Sequence, residues 1–66
     1  MRKKLHTYQN NERTAEVYLN TEQGFEVDLI DNSKILETRE LHKHSEQYAE
    51  NCAENFVLGI FDVKAV

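Results

Sequence analysis

Residues 13–30, RTAEVYLNTEQGFEVDLI, decide the fold of this chain. In residues 13–20 and again in residues 25–30, apolar and polar side chains alternate with a period of two, which is typical of a strand with one buried face. Gly24 lies in the short segment between the two runs, where it can supply the positive φ of a hairpin loop. The stretch therefore predicts an antiparallel β-hairpin.

One register of this hairpin buries a complete apolar face. A slip of one residue would turn the apolar set of one strand towards water, so the register is well specified. The predicted opposite pairs are Leu19 with Phe25, Val17 with Val27, and Ala15 with Leu29.

A second turn and a third strand follow the hairpin. Residues 31–33, Asp-Asn-Ser, tolerate left-handed backbone or bond to their own backbone, and residues 34–41 then return as a strand. A register that places Glu37 opposite Val27 would bury a carboxylate without a partner, which is costly. We therefore predict the other register, in which Leu29 faces Leu36, Ile30 faces Ile35, Val27 faces Thr38 and Glu26 faces Arg39.

Residues 46–58 predict an α-helix. Ser45 is a suitable N-cap, and Glu46 is an acid in the first turn, where the helix dipole favours negative charge. Gly59 ends the helix, and Ile60 is placed for the apolar contact that accompanies such a cap. At 100° per residue one half of the helix is apolar and is expected to face the sheet. Its members are Tyr48, Ala49, Cys52, Ala53, Phe56 and Val57.

These elements predict one small α+β domain that includes all 66 residues, with an antiparallel β-meander packed on one C-terminal helix. The meander takes up residues 13–41 and the capped helix residues 45–58. Residues 1–12 are weakly patterned, and a strand at residues 4–8 would make the sheet four-stranded instead of three-stranded. The tail, residues 60–66, either adds an edge strand or frays.

Charge and size restrict the function classes. The chain has 12 acidic and 8 basic residues, a formal net charge of −4, which argues against general nucleic-acid binding because phosphate contacts need Lys and Arg. The basic run Arg2-Lys3-Lys4 is interpreted as a solvated terminus. A domain this small, without a disulfide, often depends on oligomerisation. We therefore expect a homo-oligomer, with a dimer favoured.

Hydropathy and cysteine usage predict a cytoplasmic protein. No run of residues approaches the roughly 18 apolar residues of a membrane span, and the N-terminus has no apolar signal-peptide region. Cys52 is the only cysteine, which fits a reducing compartment. On the apolar face of the helix it is interpreted as a small buried hydrophobe.

Function is expected on the face of the sheet opposite the helix. In the predicted register Asp28 lies between Glu16 and Glu37 there, and neighbouring carboxylates raise one another's pKa. Because a three-stranded sheet offers no cleft and no nucleophile lies beside the trio, this is interpreted as a solvated acidic face rather than an acid–base site.

Apolar residues on the same face predict an interaction surface. Either these side chains form an association patch, or the N-terminal segment folds over them through Leu5 and Tyr8. An exposed leucine on the outer side of the helix is a weaker further contact. The candidate interaction residues are Tyr18, Ile30, Ile35, Leu41 and Leu58.

Motifs of catalysis and cofactor binding are absent from the sequence. His42 and His44 could face one ion, with Glu46 or His6 as a further ligand, but zinc sites need three or four ligands and no second ligand pair has a known spacing. There is no glycine-rich phosphate loop, nucleophile elbow or zinc-protease motif. We predict no enzyme activity, no cofactor and no metal.

The sequence SEQYAENCAENFVLGI at residues 45–60, and above all AENFVLGI at residues 53–60, resembles the C-terminal part of short uncharacterised proteins of marine tailed phages, especially those that infect cyanobacteria. The resemblance covers the last third of the chain. It implies a viral origin, and hence the host cytoplasm, but no activity.

The strand order also resembles the sheet-plus-helix DNA-binding domains at the N-termini of some phage integrases, which read the major groove with a three-stranded sheet. Here the predicted open face carries Glu16, Glu26, Asp28 and Glu37 against Arg39, and phosphate would repel it. We therefore expect a self-associating protein-interaction module that could also bind another protein. The alternatives are a nucleic-acid-associated or DNA-mimicking accessory protein and, after it, a metal protein or enzyme.

Overall fold

A computed structural model describes residues 1–60, which form one antiparallel sheet and one helix. The sheet order is β1-β2-β3-β4, so every strand lies beside its neighbour in sequence. The predicted α+β meander on a C-terminal helix is confirmed, in its four-stranded form. Residues 61–66, and with them most of the predicted tail, lie outside the described residues. The elements are β1 (Arg2–Asn10), β2 (Arg13–Asn20), β3 (Gly24–Asp31), β4 (Lys34–Leu41) and α1 (Glu46–Val57).

Strand β1 is longer than the predicted segment at residues 4–8 and pairs with β2 along its whole length. A β-bulge at Leu5, between Lys4 and His6, shifts the register. Because a bulge adds one residue to one strand, it breaks the alternation that marks a strand in sequence. Tyr8 packs against the core beneath the helix, so β1 extends the sheet beside β2 and does not fold over its open face.

The register of β2 and β3 is the predicted one, with Leu19 opposite Phe25, Val17 opposite Val27 and Ala15 opposite Leu29. The inner pairs form the centre of the core, since four of these six side chains are fully buried. Gly24 closes the loop with a φ of +126° and lies against the backbone of His42. The predicted hairpin and the role of its glycine are therefore confirmed.

The predicted register of β3 and β4 is wrong except at one end. The turn at Asn32 and Ser33, whose φ values of 52° and 68° are typical of a type I′ turn, sets Ile30 opposite Ile35 as expected. A bulge at Leu36 then displaces the rest of β4 by one residue. The observed pairs beyond the bulge are Leu29 with Glu37, Asp28 with Thr38, Val27 with Arg39, Glu26 with Glu40 and Phe25 with Leu41.

The bulge changes the residue opposite Asp28, and it also sets Glu26 opposite Glu40. Continuing the predicted register would place Glu37 directly opposite Asp28, a like-charge pair that destabilises a sheet. With the bulge, Thr38 takes that place, and its hydroxyl donates a 2.8 Å hydrogen bond to Asp28 Oδ1. Because Asp28 is only 4% exposed, this donor offsets part of the cost of burying its carboxylate.

Helix α1 begins and ends as predicted, to within one residue. Ser45 Oγ accepts a 3.2 Å hydrogen bond from the backbone N–H of Tyr48. At the other end the N–H groups of Gly59 and Ile60 donate to the carbonyls of Phe56 and Asn55, the two hydrogen bonds of a Schellman motif. Gly59 has a φ of +79°, as that motif requires.

The helix lies across β1, β2 and β3. Four of the predicted inward residues are buried there, namely Ala49, Ala53, Phe56 and Val57. The two alanines allow close approach to the sheet, and Phe56 is among the largest fully buried side chains. Tyr48 and Cys52 face the β4 side and are not buried, so the expectation that all six pack on the sheet is wrong for these two.

Candidate interaction surfaces

The open face of the sheet contains a compact ionic group, which we call the Arg2 cluster (Arg2, Tyr18, Glu26 and Asp28). The guanidinium of Arg2 donates from Nη2 to Asp28 Oδ1 at 2.8 Å, and its Nε lies 2.8 Å from Glu26 Oε1. Its Cζ lies 3.9 Å from the centre of the Tyr18 ring, a cation–π contact. Arg2 therefore bridges two buried acids from neighbouring positions of β3.

Glu26 has further partners besides Arg2. His42 Nε2 lies 2.8 Å from Glu26 Oε2, and Asn20 Nδ2 donates to the same oxygen at 3.3 Å. The pKa of Glu26 is below its ordinary value despite burial, chiefly because of the hydrogen bond from His42. The hydrogen bond from Asn20 and the charge of Arg2 lower it further. The carboxylate is therefore ionised at neutral pH and neutralised within the fold.

The predicted acidic trio is not present, and this corrects the expected open face. Glu16 and Asp28 are paired across β2 and β3, but the bulge turns Glu37 to the helix side of the sheet. Glu16 in turn accepts hydrogen bonds of 3.0 Å from Lys4 Nζ and from the Tyr18 hydroxyl. The basic residues of β1 thus pair with three acids of this face, and Arg2 and Lys4 are parts of the sheet rather than a solvated arm.

The histidines lie in three different environments. His6 Nε2 lies 2.9 Å from Glu46 Oε2 and 3.1 Å from Glu50 Oε2, joining β1 to the first turns of α1. His44 stacks on the Tyr48 ring with centroids 3.9 Å apart. His42 and His44 therefore do not face one ion as the sequence allowed, although His6 does meet Glu46. The short distances from His6 are those of ion pairs, and the hydrogen bond to Glu46 raises the pKa of His6.

On the helix side, β4 is separated from α1 by a cavity of about 310 Å³. We call this cavity the β4 groove, and its lining residues are Arg39, Leu41, Tyr48, Asn51, Cys52 and Asn55. Arg39, one of the lining residues, has its Nε 3.2 Å from Glu37 Oε2. Partial burial raises the pKa of the Cys52 thiol above its ordinary value, so the thiol is protonated and weakly nucleophilic at neutral pH.

The five predicted interaction residues do not form one surface. Tyr18 is half-buried beneath Arg2 on the open face, while Ile30 and Ile35 face each other at the far end of the same face. Leu41 packs against the core from the helix side because of the bulge. Leu58 is exposed at the C-terminal end of α1.

The sequence reasoning missed two features of the β4 side. Leu36, expected in the core, is 45% exposed because it occupies the bulge, and Tyr48, expected on the sheet, is 49% exposed beside the β4 groove. The like-charge pair of Asp28 and Glu37 argues against the predicted register, but the observed register contains a like-charge pair as well, Glu26 with Glu40. The sequence of the helix does not show that α1 packs on β1, β2 and β3 and is separated from β4 by a groove.

Comparison with known proteins adds no family to these observations, since no family model, curated protein or solved structure matches the chain. Among residues 1–60, no helix has the length and apolar character needed to cross a membrane.

Proposed function

We propose that this protein is a self-associating interaction module that acts in the cytoplasm and uses the edge of β4 as its contact. The observation that carries the proposal is the asymmetry of the two layers. Within residues 1–60 the helix covers β1, β2 and β3, whereas β4 is the last strand of the sheet and is separated from the helix by the β4 groove. An edge strand presents N–H and C=O groups that a second strand can pair with.

Exposed apolar side chains support the same contact. In residues 1–60 six large hydrophobic residues are exposed, and three of them lie along β4 or the β4 groove, namely Ile35, Leu36 and Tyr48. Ile35 points to the open face and Tyr48 lies on the helix side, so a second chain that extends the sheet at β4 would cover them with side chains from both of its faces. Burial of one such side chain stabilises an association by about 1.5–3 kcal/mol.

Competing surfaces offer less to a partner. The open face is occupied by the Arg2 cluster, whose acids already have partners, and this weakens the DNA-mimic alternative. At the other edge of the sheet, β1 begins with basic residues (Arg2, Lys3 and Lys4) and carries no acid, whereas β4 carries charges of both signs, which a second copy can complement.

Sedimentation equilibrium tests the proposal. The wild-type chain is expected at twice its 7.8 kDa mass, with dissociation on dilution. Ile35→Lys should weaken the dimer at least about tenfold, since it places a charge in the contact. Leu58→Lys is the matched control, because Leu58 is exposed to a similar degree at 56% but lies away from β4. A strict 7.8 kDa monomer at high concentration would refute the proposal.

A further inference from the structure

We infer that the partner on the β4 edge is a second copy of this chain, and that the two β4 strands pair antiparallel with Thr38 beside its own copy, so that Glu37 of each chain faces Arg39 of the other. This inference rests on the proposed function and specifies its register. It follows from the charge pattern of Glu37-Thr38-Arg39, the first three of the five residues of β4 that follow the bulge.

Symmetry limits the registers. Two copies that extend one sheet across a two-fold axis pair residues that point to the same face. The residue beside the axis must therefore face its own copy. The choices nearest the middle of β4 (Lys34–Leu41), where the two copies pair over the greatest length, are Glu37, Thr38 and Arg39.

Charge selects among these three. If the two-fold axis lies beside Glu37, the two Glu37 carboxylates lie opposite each other. If it lies beside Arg39, the two Arg39 guanidinium groups lie opposite each other. Like charges directly opposite destabilise a strand pair, and opposite charges stabilise it. The axis beside Thr38 gives the attractive Glu37–Arg39 pair twice.

The side chains are already placed for this contact. Glu37 and Arg39 both point to the helix side, and within one chain Arg39 Nε lies 3.2 Å from Glu37 Oε2. Because Glu37 and Arg39 lie side by side on this face, the same kind of ion pair can form between the Glu37 of one copy and the Arg39 of the other. Both helices then lie on the same face of one eight-stranded sheet.

The test uses the double variant Glu37→Arg/Arg39→Glu, which keeps the net charge and the charge pair within each chain. It should dimerise with itself as tightly as the wild type does. Mixed with ¹⁵N-labelled wild type, which gives it a distinct mass, it should form at least about tenfold fewer mixed dimers than random exchange gives, because each mixed dimer contains two like-charge pairs. Native mass spectrometry counts the three species.

The two single variants give the converse result. Glu37→Arg alone and Arg39→Glu alone should each lose at least about tenfold in self-association, and an equal mixture of them should recover dimers of one chain of each kind. Circular dichroism confirms that both are folded.

Three results would overturn the register: random mixing of wild type with the double variant, a double variant that does not self-associate, or single variants that dimerise as well as the wild type. If these occur while the wild type remains a dimer, the proposed function stands and only the register is wrong. A wild-type monomer overturns both.

Discussion

Replacing Arg2 by alanine tests how strongly the Arg2 cluster stabilises the fold. Arg2 makes 2.8 Å contacts with Glu26 and Asp28, whose side chains are 7% and 6% exposed. Loss of one partner of a fully buried ion pair costs about 3–5 kcal/mol. The arginine side chain is itself 35% exposed, so water replaces part of the lost interaction.

Remaining hydrogen bonds lower the cost further. After the substitution Glu26 still has His42 and Asn20, and Asp28 still has Thr38. We therefore expect a loss of about 2–3 kcal/mol in the free energy of unfolding. For a chain of this length the total is roughly 3–10 kcal/mol, so the loss is a large fraction of it.

Urea unfolding at one protein concentration measures this loss. With a slope of about 1 kcal/mol per molar urea, the midpoint should fall by about 2–3 M. Lys3→Ala is the matched control on the same strand, and should change stability by less than about 0.5 kcal/mol because Lys3 is exposed. Arg2→Lys should lose about 1 kcal/mol, since one ammonium cannot reproduce the fork that bridges both acids.

The difference between wild type and Arg2→Ala should also depend on pH. The pKa of Glu26 is lowered in the fold, chiefly by His42 and also by Arg2. Stability from a lowered carboxylate pKa is present above the unfolded pKa of about 4.3 and is lost as the pH falls through the folded pKa. The difference should therefore narrow below about pH 4. An Arg2→Ala variant as stable at pH 7 as the Lys3→Ala control would refute the reasoning.

Two further substitutions test other parts of the fold. Gly24→Ala should lower the free energy of unfolding in urea by more than about 2 kcal/mol, because the φ of Gly24 is +126° and a Cβ would lie 2.7 Å from the carbonyl oxygen of His42. Gly59→Ala, where a Cβ meets open space, should lower it by about 1 kcal/mol. Equal losses for the two variants would contradict the close approach of Gly24 to His42. The hydrogen bond to Glu46 raises the pKa of His6, so its stabilisation is complete below the unfolded pKa of about 6.5 and is lost as the pH rises through the higher folded pKa. His6→Gln should therefore flatten the decline in melting temperature from pH 6 to pH 8, and an unchanged slope would show that the ion pair contributes nothing.

Local patterns in the sequence predict the centre of the fold well. The hairpin of β2 and β3, the role of Gly24 and both helix caps follow from alternation, turn chemistry and capping, which act over a few residues. The two outer strands are predicted less well. Each contains a bulge, at Leu5 and at Leu36, and a bulge shifts the alternation from which the strand is recognised.

The candidate site shows the same division. Of the two alternatives that the sequence leaves open for Ile35, exposure and cover by the N-terminal segment, the structure shows exposure, at 63%. Leu36 and Leu41 were assigned to the wrong faces, since the side that each presents depends on one extra residue between them. The position of α1 over three strands is a tertiary property that its own amphipathic pattern does not contain.

An isotope-filtered NOE experiment tests the central claim most directly. In an equal mixture of ¹³C,¹⁵N-labelled and unlabelled wild-type chains, contacts between the two kinds of chain arise only across the interface. The β4-edge dimer predicts such contacts between Glu37 and Arg39, and between Thr38 and its own copy. Contacts confined to the open face around Tyr18, or to β1, would contradict it, as would a concentrated sample without any contact between chains.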